Sequence, residues 1–220
     1  MKTMLDVIFI HIPKTAGTSI LSIFNAHYGQ DKVVHLKRKD IEHAEKIDTI
    51  SKSISPKVKV LHGHFTYGEV SPILHESRDV KLITFIRHPV SRVVSNFFFF
   101  KKRIALGKVS AVDQGRADES LMTYAELPES RNRISHFLDG LDLKDLFYIG
   151  EVEHFESDVR IMCAKLNIDI HDLPYDNKNK LFETSSYSIS DEERRAIMAL
   201  NDKDMVLYQQ LIDTKARLLT

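Results

Sequence analysis

Short runs of Val, Ile, Leu and Phe punctuate the chain, and longer segments with apolar residues every three or four positions separate them. The runs Val7–His11, Val33–Leu36, Val58–His62, Leu82–Ile86 and Leu146–Ile149 predict strands. The intervening pattern predicts helices at Gly17–Tyr28, Asp40–Ile47, Tyr67–Ser77, Pro89–Leu106, Asp118–Ala125 and Ser130–Leu138. The C-terminal third is helical in three pieces, Glu153–Leu166, Ser190–Leu200 and Asp202–Leu218. Strand and helix in alternation make βαβ units, so the expected fold is α/β, three layers (α/β/α) around a central parallel sheet of about five strands. Two polar, turn-rich stretches, Gly107–Arg116 and Asp172–Lys180, read as loops that can cover a site.

No repeat or low-complexity linker divides the 220 residues, which predicts one domain over 1–220. Lys plus Arg equals Asp plus Glu at 31 each, so no global field draws the chain to nucleic acid, and any anion site has to be local. The single cysteine, Cys163, lies in an apolar helical run and reads as a packing thiol. No apolar stretch reaches the about 18 residues of a membrane span, and the N-terminus lacks a signal pattern, so a cytoplasmic location is expected.

Two strand ends carry anion chemistry. Val7-Ile8-Phe9-Ile10 runs into His11-Ile12-Pro13-Lys14-Thr15-Ala16-Gly17-Thr18-Ser19 and then into a helix. A tight turn into a helix start aims unpaired N–H groups and a positive dipole end at one point, which suits a phosphate. Lys14 adds a charge, Gly17 permits close approach, and Thr18 and Ser19 offer hydroxyls. This is not a Walker A motif, because the lysine precedes the glycine. The second end is Phe85-Ile86-Arg87-His88-Pro89-Val90-Ser91-Arg92-Val93-Val94-Ser95. Pro89 fits a first helical turn, which sets Arg87 beside a helix start, while Arg92 and Ser95 share a face. An arginine fork with a hydroxyl suits a phosphomonoester; the bland reading pairs Arg87 and Arg92 with surface acids. Phe97-Phe98-Phe99-Phe100 reads as core and helix-packing surface rather than an adenine cage, with room for one of the rings to face a nucleotide. A third strand ends in His62-Gly63-His64, and imidazole suits proton abstraction near neutral pH. No carboxylate or cysteine set stands at metal-ligand spacing around these histidines, so no metal is expected.

Together these segments resemble the PAPS-dependent sulfotransferases, in particular the carbohydrate branch containing the uronyl 2-O enzymes, and look like a bacterial-type soluble relative. The Lys14 loop is similar to that family's 5′-phosphosulfate loop and the Arg87–Ser95 segment to its 3′-phosphate motif. Tyr148–Phe155 and Leu200–Tyr208 are similar to weaker signatures. The resemblance implies a P-loop-like fold and PAPS as donor, with PAP as product. It assigns Lys14, Thr15, Ala16, Gly17, Thr18 and Ser19 to the phosphosulfate, and Arg87 and Ser95 to the 3′-phosphate. It also implies an acceptor with a free hydroxyl, expected on a glycan, with His64 as base and His62 as supporting or substitute base. Arg131, Arg133 and His136 share one predicted helix and either meet an anionic acceptor or form a solvated face; Asn177, Lys178 and Asn179 lie in a loop that can close over the nucleotide. His11 and His88 sit close enough to the phosphate motifs to support them, and the other histidines, His35 among them, are expected at surfaces or helix ends. Two further readings stay open here: a nucleotide kinase or NTPase of similar fold, and a non-catalytic nucleotide- or glycan-binding module. Oligomeric state is open too.

Overall fold

Each of the five apolar runs forms a strand, and each hydrogen-bonded pair of strands is parallel. The computed structural model describes residues 5–38, 50, 54–76, 79–170 and 188–219. The strands are β1 (Val7–Ile10), β2 (Val33–Leu36), β3 (Val60–Gly63), β4 (Lys81–Ile86) and β5 (Leu146–Glu151), in the spatial order β2-β3-β1-β4-β5. Because the sheet is covered on both faces, β1 is buried at every position rather than alternating. Val7 and Phe9 face α1 (Gly17–Tyr28) and, with Ile83, Phe85 and Tyr148, a C-terminal helix at Phe155–Leu166. Ile8 and Ile10 face the opposite layer, which contains α2 (Tyr67–Glu76) and helices at Arg133–Phe137 and Asp202–Leu219.

The remaining helices follow chain order: α3 (Pro89–Ala105), α4 (Ala111–Gln114), α5 (Leu121–Glu126), α6 (Arg133–Phe137), α7 (Phe155–Leu166), α8 (Asp191–Leu200) and α9 (Asp202–Leu219). A third cluster joins α3, α5 and α8 through Val93, Phe97, Leu121, Tyr124 and Ile197. Cys163 is buried in α7, and burial pushes its thiol up to about 12, as befits a packing residue. Among the described residues no helix is long and apolar enough to cross a membrane.

Three local expectations need correction. The helix expected over Ser130–Leu138 is shorter, because Pro128–Ser130 forms a 3-10 turn and Asn132 takes a left-handed conformation at φ 46°. The helix expected from Asp118 starts at Leu121, where the Ser120 side chain accepts from the Thr123 N–H. Within the loop Gly107–Arg116, Ser110 caps the single turn α4. The helix expected at Asp40–Ile47 and the loop Asp172–Lys180, with Asn177, Lys178 and Asn179, lie outside the described residues.

Candidate active site

The strand register decides where the candidate residues meet. Ile10 aligns with Gly63 on one side and with Thr84 on the other, so the segments after β1, β3 and β4 emerge side by side. The chain leaves β1 toward β2 and leaves β4 toward β5. Between those two strand ends the connections diverge, and open α/β sheets bind ligands in the crevice this creates.

The Lys14 loop is shaped by its turns. Thr15 N donates to Ile12 O at 3.3 Å, with Pro13 leading and Lys14 at φ 73°, the pattern of a type II turn with lysine where glycine is usual. Ala16 is also left-handed at φ 61° and starts α1 with no side-chain cap. Alternating left-handed residues curve the backbone so that N–H groups converge, and the first N–H groups of α1 have no intrahelical acceptor. Two such non-glycine residues store strain of about 1–3 kcal/mol each, a cost that clusters at ligand-binding turns. Thr15 is buried with its hydroxyl donating to Ile12 O at 2.8 Å, so it stiffens the turn, while Thr18 is exposed and Ser19 buried. Gly17 is obligatory: a Cβ there would lie 2.1 Å from the His11 ring.

Lys14 makes no ion pair among the described residues, and its Nζ sits 4.0 Å from the centroid of the Phe99 ring. Burial, then the nearby Arg87 and Lys102 charges, bring its ammonium down to about 8. The two cationic turns therefore sense each other. Arg87 is partly buried, with an Nε that has no hydrogen-bond partner, and burial lowers its pKa against the opposing field of Glu153. Ser95 is buried on α3. The surface-pair reading fails for Arg92, which is fully buried; its Nη2 donates to Ser130 O at 2.7 Å, while Nε and Nη1 have no partner. Phe97 joins the core, and Phe99, 40% exposed, is the ring beneath Lys14.

The histidines form one cluster. His64 Nδ1 donates to His11 O at 2.7 Å, which leaves Nε2 of the neutral ring with a free lone pair. Burial holds His64 below the usual imidazole range, partly opposed by that hydrogen bond. His11 stacks on it with centroids 4.1 Å apart. His62 is placed differently: it is fully buried, stacked flat on Phe9, with Nε2 3.0 Å from Gly17 O and Nδ1 2.9 Å from His35 Nδ1. Burial, then His35, depress it to about 3. With both nitrogens engaged, His62 has no lone pair to offer an acceptor, so the substitute-base expectation does not fit its placement. His35, expected at a surface or helix end, lies instead inside β2. Its pairing follows from the register His35↔His62, which no local pattern reveals.

Arg131 precedes α6 rather than sharing it with Arg133 and His136. Arg133 is partly buried, and its charge reaches His64; His136 is exposed. Two residues of the Leu200–Tyr208 segment, to which the sequence assigns no individual role, order this region. Asp204, fully buried on α9, accepts from Ile134 N at 3.0 Å and Ser135 N at 2.8 Å, and Asn201 accepts from Asn132 N at 3.0 Å. The two weaker signature segments also meet, because Tyr208 OH donates to Glu151 Oε1. His88 donates its backbone N–H to Glu153 at 3.2 Å. Among the described residues no group of three or more His, Cys, Asp or Glu is arranged to hold a metal.

A sequence profile described as "Sulfotransferase family" matches residues 1–212. The chain belongs to the sulfotransferase family. A protein of Archaeoglobus fulgidus, described only as uncharacterized, is 23% identical over 92% of this chain and 94% of its own length. Among solved structures, a sulfotransferase from Alicyclobacillus acidocaldarius has a TM-score of 0.47 at 16% identity, covering 96% of this chain and 93% of that one. Mouse sulfotransferase SULT7A1, solved in complex with PAP, has a TM-score of 0.43 at 15% identity; the match covers 77% of this chain and 61% of the mouse protein. The sulfotransferase domain from the curacin biosynthetic pathway has a TM-score of 0.36 at 17% identity, covering 92% and 91%.

Proposed function

We propose that this sulfotransferase takes its sulfuryl group from PAPS and passes it to a hydroxyl on a carbohydrate or glycoconjugate, with His64 as base. One observation carries the donor assignment: two cationic turns close the adjacent strands β1 and β4, and Lys14 feels the charge of Arg87. The residues fit a bisphosphorylated nucleotide. The left-handed loop and the start of α1 receive the 5′-phosphosulfate, while Arg87, whose Nε lacks a partner, and Ser95 receive the 3′-phosphate.

In the transfer, the acceptor oxygen forms a bond to sulfur as the bond from sulfur to the bridging 5′-phosphate oxygen breaks. The acceptor proton passes to His64 Nε2, whose lone pair is left free by the Nδ1 bond to His11 O. The resulting imidazolium keeps that carbonyl as a partner. Lys14 neutralises the charge that develops on the leaving PAP oxygen. The reach of Arg133 toward His64 supports an acceptor that carries negative charge of its own.

The test is mass spectrometry of glycans and small alcohols after incubation with PAPS, together with melting in PAP. A gain of one sulfate mass and a rise in Tm are expected. No Tm shift at saturating PAP and PAPS would overturn the donor assignment.

A further inference from the structure

His62 near the end of β3 and His64 just beyond it divide the work in a way that the motif alone does not reveal. Both rings lie against His11, with centroids 5.1 Å away for His62 and 4.1 Å away for His64. Each reaches a carbonyl of the segment that forms the phosphate loop: His64 that of His11, His62 that of Gly17. Gly63 between them is forced, since a Cβ there would lie 2.5 Å from Leu36 O.

The hydrogen atoms follow from the partners. Gly17 O only accepts, so His62 Nε2 carries a proton, and in the neutral ring Nδ1 is then the acceptor. His35 Nδ1 must therefore donate to it. A second proton on His62 would set two N–H groups against each other across 2.9 Å. His62 is thus held neutral, and its polar end is fixed to the residue where the loop becomes α1.

We propose that His62, oriented by His35, is a positioning residue: it holds the Gly17 carbonyl and with it the N–H array that grips the donor's 5′-phosphate, and it takes no proton from the acceptor. The proposal rests on the donor-binding reading above. Gly17 is held from both sides, by the His11 ring against its Cα and by His62 on its carbonyl. Releasing the carbonyl lets the peptide planes of the loop rotate, and a converging array of donors tolerates little rotation.

The test uses His62→Phe, His62→Gln and the wild-type enzyme. Phe keeps the flat stack on Phe9 but has no donor, whereas the Gln amide donates from nearly the place of Nε2. PAP affinity should fall about tenfold in His62→Phe and recover most of that in His62→Gln, and the acid limb of the kcat profile should stay where His64 sets it in both. Wild-type PAP affinity in His62→Phe would reduce His62 to core packing. Equal loss of turnover in both variants, with the acid limb displaced, would make it a base. Nitrogen NMR of the wild-type protein decides the matter independently of folding of the variants: His62 should carry its proton on Nε2 and His35 on Nδ1 at neutral pH. The reverse arrangement overturns the proposal. If the wild type itself binds no PAP, the donor reading fails, and the NMR tautomers still decide whether the His62–His35 lock exists.

Discussion

Replacing Gly17 by alanine probes the joint between the phosphate loop and the histidine cluster with a single methyl group. The added carbon would lie 2.1, 2.3 and 2.4 Å from Cδ2, Nε2 and Cγ of His11. Ordinary contact needs about 3.5 Å, so ring and loop must part by more than an ångström. The partner is a ring and not the tip of a flexible chain, and it already stacks on His64 at 4.1 Å. Overpacking of this kind costs about 2 kcal/mol. For a chain of 220 residues that lowers Tm by roughly 4–8 °C. The displacement should also carry into the loop and the candidate base, so PAP affinity and turnover should both fall at least tenfold. Gly68→Ala is the control. It lies in the first turn of α2 with nothing within 4 Å of an added Cβ, and a helical glycine replaced by alanine gains about 0.5–1 kcal/mol, so Tm should rise slightly. Differential scanning calorimetry and PAP titration of both variants check this. If Gly17→Ala melted and bound PAP like the wild type, the packing of His11 on Gly17 would be refuted.

The free-enzyme Lys14 titrates at about 8, and a bound anion raises that value. Below pH 8 the lysine is charged in both states; above it, binding must take up a proton, so PAP affinity should fall as pH rises through 8, by about tenfold per unit at most. Calorimetry in buffers of different ionisation heat should detect that proton uptake, and a flat profile contradicts it. His64→Asn should lower kcat by about a hundredfold or more while sparing PAP affinity. In the wild type kcat/KM should fall with acid through a pKa below 6.5, because burial in the free enzyme favours the neutral ring that acts as base. Asp204→Ala should destabilise the protein by about 2 kcal/mol, read by denaturant unfolding, because two backbone N–H groups at the start of α6 lose their buried acceptor.

How far the sequence reveals this structure depends on the range of the interactions. The five strands are legible because a sheet covered on both faces demands uninterrupted apolar runs, as in Val7-Ile8-Phe9-Ile10. Pro89 marks the start of α3 for an equally local reason. The start of α6 is not legible, since its acceptors arrive from Asn201 and Asp204, about 70 residues away in the chain. His62 is misread for the same reason. Next to His64 in a motif it looks like a spare base, and only its pairing with His35, 27 residues distant, shows that both nitrogens are taken. Arg92 shares a face with Ser95 as its spacing implies, but the 3-10 turn at Pro128–Ser130 that buries it is not foreseeable from that spacing. Spacing reports which face of a helix a residue occupies, not what a later segment lays over it.

In the proposed donor site the Lys14 loop and the Arg87–Ser95 pair hold opposite ends of one nucleotide. Titrating PAP and 5′-AMP into the wild type, Lys14→Ala and Arg87→Ala tests it most directly, because the two ligands differ only in the 3′-phosphate. Lys14→Ala should weaken both ligands alike, whereas Arg87→Ala should weaken PAP at least tenfold and leave 5′-AMP nearly unchanged. Equal losses for both ligands in Arg87→Ala, or wild-type PAP affinity in either variant, would contradict it.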